Sequence, residues 1–508
     1  MQITFKQVRL PVKGVLLIPF FENGDFLPNK KIQETDGDFF TNALKTVDMK
    51  KKKDDFITLG FLPFRPSVKT VAVRFGDSLK IDAARLQILG GKIADFLMKD
   101  KTTKASLFMD ILPKKTGLPA DEAACQIAFG AAMNAYRFTK YKTRDDEKEE
   151  EEICFDILTP MATQAKDLFS EFQNLLYGIY TARDLVSEPA NALTPDIFAQ
   201  KLCSLKIENL KVTVFDEKQI AEKGLNLITA VGKGAINPPR LAVLEYNGLP
   251  EKDSSPVLFV GKGVCFDAGG ISLKPALHLA DMKYDMAGAA AVTGALIALS
   301  LNKEPVHVVG IMPLVENMPS GSAVHPGDVI KSLSGLTVEV DNTDAEGRLI
   351  LADALWFGQE TFKPEAVVDL ATLTGAMKYA LGGEYAGLFS NHERLQKELI
   401  TAGQHTTHDR LWPFPMDAAY EKLIASDIAD IRNIGTKPEA GSITAALFLK
   451  RFIQKGVKWA HLDIAGTAWA TESTPVCPKG ATGFGVQLLT VFALEHKQTN
   501  RRGRRRPQ

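Results

Sequence analysis

Residues 342–349 read Asn-Thr-Asp-Ala-Glu-Gly-Arg-Leu and place two carboxylates, a guanidinium and a glycine in one short segment. A strand-like run, residues 336–340, precedes the segment, and an apolar helical pattern that includes Ile350 and Leu351 follows it. Two acids this close at a strand-to-helix junction suit a hard cation, and the adjacent arginine suits an anion. Because Asp and Thr are also common helix N-caps, a capped helix with a surface salt bridge is the alternative interpretation.

A glycine-rich stretch, residues 261–274, follows the strand-like run 256–260 and suggests a nucleotide-binding loop. Its spacing excludes the usual loops, because G-x-G-x-x-G would require glycine at position 266, which is Phe266, and no Gly-Lys precedes Ser or Thr. The glycines instead indicate a backbone that approaches a crowded site, and this stretch also carries Lys262 and Asp267.

A third acid, Asp285, lies at the start of an alanine-rich helical pattern, residues 287–299. A simple N-cap is the alternative explanation for this residue taken alone. Three segments at the ends of predicted strands or the start of a predicted helix all carry acids. In a parallel α/β sheet, ligands bind beyond the carboxyl ends of the strands, so this arrangement favours a shared site.

The composition limits both the class of protein and the kind of metal site. At 508 residues, with 45% hydrophobic and 24% charged residues, the chain is a globular protein of more than one domain. The five cysteines are scattered without a C-x-x-C pair, which indicates a reducing compartment and argues against a thiolate zinc site. The eight histidines form no H-E-x-x-H motif, so any metal here is expected to be held mainly by oxygen.

The net charge of zero provides no general attraction to nucleic acid or anionic lipid. Near the N-terminus, the apolar run 15–21 is too short to span a membrane and contains Pro19. It also lacks a signal-peptide cleavage pattern, so it is predicted to be a strand in a soluble protein without a membrane partner.

Alternating strand-like and helical runs predict an α/β fold of two domains. An N-terminal α/β domain is predicted at 1–160, a linking amphipathic helix at 161–190, and a larger α/β domain with a mostly parallel, helix-covered sheet at 191–497. The charged run 144–152 is predicted to be a solvated loop, and the Arg-rich stretch 498–508 to be a disordered tail. In the larger domain, strands are predicted at 241–246, 257–260, 307–312, 366–370 and 459–464, and helices at 287–299 and 350–357.

Together these segments resemble the leucyl aminopeptidase, or cytosol aminopeptidase, family of two-metal peptidases. The hallmark N-T-D-A-E-G-R-L occurs unchanged at 342–349. Three companion motifs also match, at 237–241 (N-P-P-R-L), 316–321 (E-N-M-P-S-G) and 369–376 (D-L-A-T-L-T-G-A). The resemblance covers essentially the whole C-terminal half and, more loosely, the N-terminal domain, for which it implies a macro-like module.

The resemblance implies a two-metal centre. By motif position, Asp267 and Glu346 would bridge both ions. Lys262 and Asp285 would complete the tighter site, and Asp344 would complete the exchangeable site through its carboxylate and main-chain carbonyl. Four carboxylates offset two divalent cations, so Lys262 could bind as an unprotonated amine. Oxygen-rich ligation suits Mn²⁺ or Zn²⁺ and leaves Mg²⁺ and Co²⁺ open.

The implied reaction releases the first residue of a peptide that has a free N-terminus. A metal-activated water would attack the scissile carbonyl, Lys274 would stabilise the developing oxyanion, and Arg348 would hold a bicarbonate-like anion as general base. A leucine-like side chain would occupy an apolar pocket. The wall candidates are Met282, Thr372 and Gly375, and Leu373 would provide backbone contacts. An ordinary core position remains open for Met282.

The family resemblance also implies a cytoplasmic homohexamer. Two alternatives differ in class: a DNA-binding or regulatory homologue with secondary or no peptidase activity, and an inactive scaffold. The arginines at 501–506 are the only support for nucleic-acid binding, and the neutral charge argues against it. The intact set of predicted site residues argues against an inactive scaffold.

Overall fold

A computed structural model describes residues 1–21, 55–77, 80–109, 118–143, 152–250 and 254–504. The chain divides into two compact units, Met1–Leu176 with Ser473–Pro478, and Tyr177–Glu472 with Lys479–Gln508. The division falls within a long helix, Ala162–Ser187, in the stretch predicted to link the domains. Almost all of the charged run 144–152 lies outside the described residues. The last helix reaches Arg504, so it includes the first part of the predicted tail.

The first unit is built on a six-stranded sheet. Its strands, in chain order, are β1 Gln2–Lys6, β2 Gly14–Phe21, β3 Phe56–Leu62, β4 Arg65–Gly76, β5 Lys104–Phe108 and β6 Cys154–Leu158. In space the order is β1-β6-β5-β2-β4-β3, and only the edge pair β3–β4 is antiparallel. Helices α1 (Ala83–Lys99), α2 (Ala120–Ala135) and the first part of α3 (Ala162–Ser187) complete the unit. The predicted strand at 15–21 is β2, which is largely buried.

The second unit contains a nine-stranded, mostly parallel sheet. Its strands are β7 Leu210–Phe215, β8 Arg240–Asn247, β9 Val257–Gly261, β10 Gly263–Asp267, β11 His307–Asn317, β14 Ala366–Ala371, β15 Ala386–Ser390, β16 Leu411–Pro413 and β18 Trp459–Asp463. The order is β16-β15-β18-β14-β9-β11-β8-β7, and β10 extends along β11. The pairs β7–β8, β8–β11 and β15–β18 are antiparallel. The central strands β9, β11, β14 and β18 run in parallel, so their carboxyl ends lie at one edge.

Helices pack around this sheet, and smaller elements lie beside it. The helices are α4 Pro195–Cys203, α5 Glu217–Glu222, α6 Asn226–Gly232, α7 Ala276–Leu279, α8 Ala287–Leu301, α9 Glu346–Phe362, α10 Gly375–Leu381, α11 Glu393–Gln404, α12 Gly441–Lys450 and α13 Val486–Arg504. Short 3₁₀ helices occupy Met282–Tyr284 and Ala418–Ile424. A second sheet joins β12 Asp328–Lys331, β13 Thr337–Val340 and β17 Ile431–Arg432, and a small ribbon pairs β19 Trp469–Ala470 with β20 Gly480–Ala481.

The α/β prediction is confirmed, and the predicted elements of the second unit lie within a few residues of the observed ones. Helix α8 is buried on nearly every side because alanine and glycine dominate its sequence, which explains its lack of a polar face. Strand β11 extends five residues beyond its predicted end and reaches Asn317, where it borders the acid-bearing loops. No helix among the described residues is both long and apolar enough to cross a membrane.

Helix α9, which starts in the hallmark segment, carries a fully buried carboxylate, Asp353. Its Oδ2 accepts the backbone N–H of Leu227 at 2.7 Å, at the start of α6, and its Oδ1 accepts the N–H of Leu333 at 2.8 Å. Burial raises the pKa of Asp353 to about 7, although these backbone donors favour the charged form. This residue therefore ties α9 to α6 and to the loop after β12.

Asp353→Asn is expected to destabilise the protein, and more strongly at pH 5 than at pH 8. The amide has one acceptor oxygen, so a buried N–H of Leu227 or Leu333 loses its partner at a cost of about 1–3 kcal/mol. The wild-type carboxyl has a raised folded-state pKa, so its stabilising contribution is present at low pH and is lost as pH rises from about 4 to about 7. The difference in free energy of unfolding between the wild type and Asp353→Asn should therefore become smaller as the pH rises.

Thermal and urea unfolding at both pH values would measure this difference. Glu360→Gln is the matched control, because Glu360 is an exposed acid on the same helix. An Asp353→Asn variant with wild-type stability at pH 5 would contradict the anchoring role.

Candidate active site

The acid-bearing segments converge on a cavity of about 550 Å³ in the second unit, at the carboxyl ends of its central strands. All the residues predicted from the sequence to form the site line this cavity: Lys262, Asp267, Lys274, Met282, Asp285, Asp344, Glu346, Arg348, Thr372, Leu373 and Gly375. They come from the end of β10, from the loops after β9, β10, β13 and β14, from the first turns of α9 and α10, and from the 3₁₀ turn before α8. The structure therefore brings together segments that are far apart in the chain.

Lys262 lies at the buried end of the cavity between two carboxylates. Its Nζ is 2.7 Å from Asp285 Oδ2 and 2.8 Å from Glu346 Oε1, and it donates to the carbonyl of Thr372 at 3.0 Å. Thr372 in turn donates from Oγ1 to Asp285 Oδ1 at 2.7 Å. The three charged groups are each less than a twentieth exposed, so water cannot replace these contacts.

Lys274 forms a second bridge of the same kind. Its Nζ is 2.8 Å from Asp267 Oδ2 and 2.5 Å from Asp344 Oδ1. The other oxygen of Asp267 accepts from the backbone N–H of Gly269 and from Asn317 Nδ2, both at 2.9 Å. Each lysine thus pairs with two carboxylates, and the two groups adjoin because oxygens of Asp267, Asp344 and Glu346 lie within 4.8 Å of one another.

This network shifts the pKa values of its members. Burial raises the pKa of Glu346 and of Asp285, and the negative charge of Asp267 raises both further. Burial alone would lower the pKa of Lys262, but the charges of Asp285, Glu346 and Asp267 outweigh it and raise that pKa. The same balance raises the pKa of Lys274. Both amines are therefore held protonated in the protein alone.

The two helix-capping alternatives are wrong. Ala345 occupies the N-cap of α9 and Met286 that of α8, and neither cap has a side-chain hydrogen bond in the part of the chain that the structure describes. Asp344 and Asp285 instead contact the lysines. The salt-bridge interpretation of Arg348 is wrong as well. Its Nη1 donates to the carbonyl of Asn433 at 2.8 Å, and among the described residues its buried Nε has no hydrogen-bond partner.

Two glycines are required by close approach in this site. A Cβ on Gly347 would lie 2.5 Å from Lys262 Cε and 2.8 Å from its Nζ, so only glycine leaves room for the lysine. Gly269 has a φ of +90°, and a Cβ there would lie 2.9 Å from Asp344 Oδ1. The glycine in the hallmark segment thus makes space for a side chain from another loop.

Some residues that hold the site were not predicted from the sequence. Asn317 Nδ2 donates to both Asp267 and the carbonyl of Thr343, which links the loops after β10 and β13. Asp463 accepts the Leu373 N–H at 3.2 Å and the hydroxyl of Thr374 at 2.6 Å, which fixes the loop after β14. Both residues end a parallel strand, and a polar residue at such an end is the signal that could have identified them.

The donor set fits divalent metal ions. Carboxylate oxygens of Asp267, Asp344 and Glu346 lie within 4.8 Å of one another. Oε2 of Glu346 is buried without a hydrogen-bond partner in the described part of the chain, which is costly for a carboxylate unless a cation binds it. The described residues that line the cavity include no histidine or cysteine, and hard carboxylate oxygens of this kind suit divalent cations that favour oxygen ligands.

Comparison with known proteins identifies relatives along most of the chain. The model of the cytosol aminopeptidase family's catalytic domain matches residues 180–490, and that of its N-terminal domain matches residues 17–145. The cytosol aminopeptidase of Rickettsia prowazekii is 45% identical over 441 residues, which cover 85% of this chain and 87% of that protein. A probable cytosol aminopeptidase of Caulobacter vibrioides is 49% identical over 383 residues, covering 75% and 77%.

Among solved structures, the bottromycin maturation enzyme BotP in complex with Mn is similar along nearly the whole chain. The two align with a TM-score of 0.82 at 31% sequence identity, and the alignment covers 95% of this chain and 99% of that one.

Gly347→Ala is expected to lower metal affinity by more than about tenfold, because the added methyl group displaces Lys262 from Asp285 and Glu346. Alanine stabilises a helix relative to glycine by about 1 kcal/mol, so the substitution should not weaken α9 itself. A loss of metal binding would therefore be due to the clash with Lys262. Metal bound per chain, measured by equilibrium dialysis and atomic emission, tests this expectation.

Gly321→Ala is the matched control, because among the described residues nothing lies within 4 Å of its added Cβ. Unchanged metal binding by Gly347→Ala, together with an unchanged melting temperature, would show that Lys262 does not need this space.

Proposed function

The chain belongs to the cytosol aminopeptidase family of metallo-exopeptidases, and on this premise we propose a two-metal aminopeptidase that prefers a leucine-like first residue. As a member of this family it is a metal-dependent hydrolase that acts on peptides. The observation that carries the two-metal proposal is the cluster of four carboxylates, three of them buried, with two lysines. Four carboxylates outnumber the two lysines in this largely buried cluster, so further positive charge is expected to stabilise it.

The proposed ligands are those implied by the family motifs. Asp267 and Glu346 would bridge two ions, Lys262 and Asp285 would complete one site, and Asp344 would complete the other. The unpartnered oxygen of Glu346 and the clustered oxygens of Asp267 and Asp344 support this assignment. We propose Mn²⁺ or Zn²⁺, with Mg²⁺ and Co²⁺ as substitutes. The manganese complex of the similar enzyme BotP supports the first choice.

The proposed catalysis assigns Lys274 to charge stabilisation. Bound metal ions would supply an acidified water and polarise the scissile carbonyl. Lys274 keeps its proton because acids surround it, and its side chain is 17% exposed, so its ammonium group can reach substrate in the cavity. A charged donor at this position stabilises the oxyanion that forms as the carbonyl is attacked.

Arg348 is proposed to hold a bicarbonate-like anion that serves as general base. Burial lowers the pKa of Arg348 to about 10, so its guanidinium remains charged at neutral pH. Its side chain lines the cavity, and its Nε has no hydrogen-bond partner among the described residues. A buried charged donor of this kind suits a small planar anion.

The first side chain of the substrate is proposed to pack against Met282, Thr372 and Gly375, and the backbone of Leu373 to contact the peptide. Met282 and Leu373 provide apolar surface in the cavity lining, and Gly375 leaves space in it. Asp463 fixes the turn that carries three of these residues, so the wall does not depend on a mobile loop. A free α-amine would select the N-terminal residue by binding at the metal-carrying end.

Family resemblance also supports a cytoplasmic homohexamer, in which the N-terminal unit would assist assembly and access. Sedimentation equilibrium of the purified chain would test the proposed assembly.

Metal-stripped protein is expected to regain hydrolysis of leucine amide when Mn²⁺ or Zn²⁺ is added, and to regain less with an amide of a charged residue. A panel of aminoacyl amides, each assayed with one added metal, measures both preferences. Glu346→Ala should remain inactive with every metal, because a shared ligand to both ions is lost. If no metal restores hydrolysis of any free-amine substrate, the proposed function is wrong.

Arg348→Ala is expected to reduce kcat by about 10²–10⁴-fold, in the range of a lost general-base function, while the metal content stays unchanged. The kcat of Arg348→Lys should fall between those of the wild type and Arg348→Ala, since lysine keeps the positive charge but lacks the several N–H donors of a guanidinium. Wild-type kcat in Arg348→Ala would exclude an anion role for this residue.

A further inference from the structure

The cavity has a cationic outer end that the proposed chemistry leaves unused. Lys378, in helix α10, and Lys437, in the loop before α12, line the same cavity as the site residues. Both are exposed, whereas Lys262 and Glu346 are almost fully buried. The two lysines therefore mark the solvent end of the cavity and the site residues mark its floor.

Among the described residues that line the cavity, no acid pairs with these two lysines. The acids in the lining are Asp267, Asp285, Asp344 and Glu346. The first two and Glu346 are buried at the floor, and the half-buried Asp344 is paired with Lys274. Neither Lys378 nor Lys437 forms an ion pair with any residue in the described ranges, and Glu439, on the loop of Lys437, is not part of the lining. The outer end is thus positively charged in the protein alone, and bound metal ions would increase this potential.

A peptide bound at the site must extend past these lysines. Its amino end is held at the floor under the proposed function, so the part beyond the scissile bond points to solvent. A sphere with the volume of this cavity is roughly 10 Å across, and an extended chain advances about 3.4 Å per residue. The carboxylate of a second or third residue therefore falls near the outer end.

We propose that Lys378 and Lys437 form a carboxylate-binding subsite that favours short peptides with an acidic group just beyond the scissile bond. This inference rests on the proposed function for the direction of the bound peptide. The carboxylate has two sources, the C-terminus of a dipeptide or tripeptide and the side chain of an acidic second residue. Both present the same planar anion to two flexible ammonium groups.

The test compares substrates that differ only in a carboxylate. Manganese-loaded protein is assayed for kcat/KM on Leu-Gly against Leu-Gly-amide, and on Leu-Glu-amide against Leu-Gln-amide. The wild type should prefer the carboxylate in at least one pair by about tenfold, since each exposed charge pair contributes up to about fivefold. The pair that shows the preference identifies the source, and added salt should reduce it.

The Lys378→Met, Lys437→Met double variant should lose this preference, because methionine keeps an unbranched apolar side chain without the charge. Lys218→Met is the matched control, because Lys218 is an exposed helical lysine of the same unit outside the cavity lining. The control should discriminate as the wild type does. Equal discrimination by the double variant, or none by the wild type, would overturn the subsite.

A binding measurement separates this inference from the proposed function. A Leu-Gly analogue with CH₂–NH in place of the amide cannot be hydrolysed, and calorimetry gives its Kd as free acid and as amide. Tighter binding of the acid by the wild type, lost in the double variant, supports the subsite even if no substrate is turned over. Failure to hydrolyse leucine amide counts against the proposed function alone.

Discussion

The site depends on the placement of two lysine amines between four carboxylates, of which Asp267, Asp285 and Glu346 are buried and Asp344 is half-buried. Lys262 bridges Asp285 and Glu346, and Lys274 bridges Asp267 and Asp344. Each ion removed from water costs several kcal/mol, so these groups can share one cavity only if every charge meets an opposite charge or a hydrogen-bond donor. This constraint explains why the surrounding loops are closely interlocked.

The charged side chains at the floor also restrict the backbone around them. Gly347 has no side chain because the stem of Lys262 occupies that space, and Gly269 adopts a positive φ beside Asp344. Asn317 connects two loops through one amide group, and Asp463 fixes a third. A helix, a 3₁₀ turn and several strand ends are thus held to one another through polar side chains, which positions the site residues in the protein alone.

The same charges separate the cavity into two regions with different chemistry. Among the paired groups, four acids outnumber two lysines, and an unpartnered oxygen of Glu346 remains for a cation. Arg348 lies beside them with a donor available for an anion. At the outer end, Lys378 and Lys437 meet no opposing acid in the lining. A peptide would therefore meet metal-binding groups at its amino end and positive charge along the part that leaves.

The sequence by itself determined the element types and the chemical groups. Alternating apolar runs fixed strands such as β9 and β14, and the unchanged N-T-D-A-E-G-R-L segment pointed to the acids and to Arg348. Only the tertiary structure decided which groups meet. It excluded helix capping by Asp344 and Asp285. It also showed that a side chain at Gly347 would collide with Lys262, and that Asn317 and Asp463 hold the loops of the site in place. These contacts join residues distant in the chain, and local periodicity carries no information about which strand ends become neighbours in a sheet.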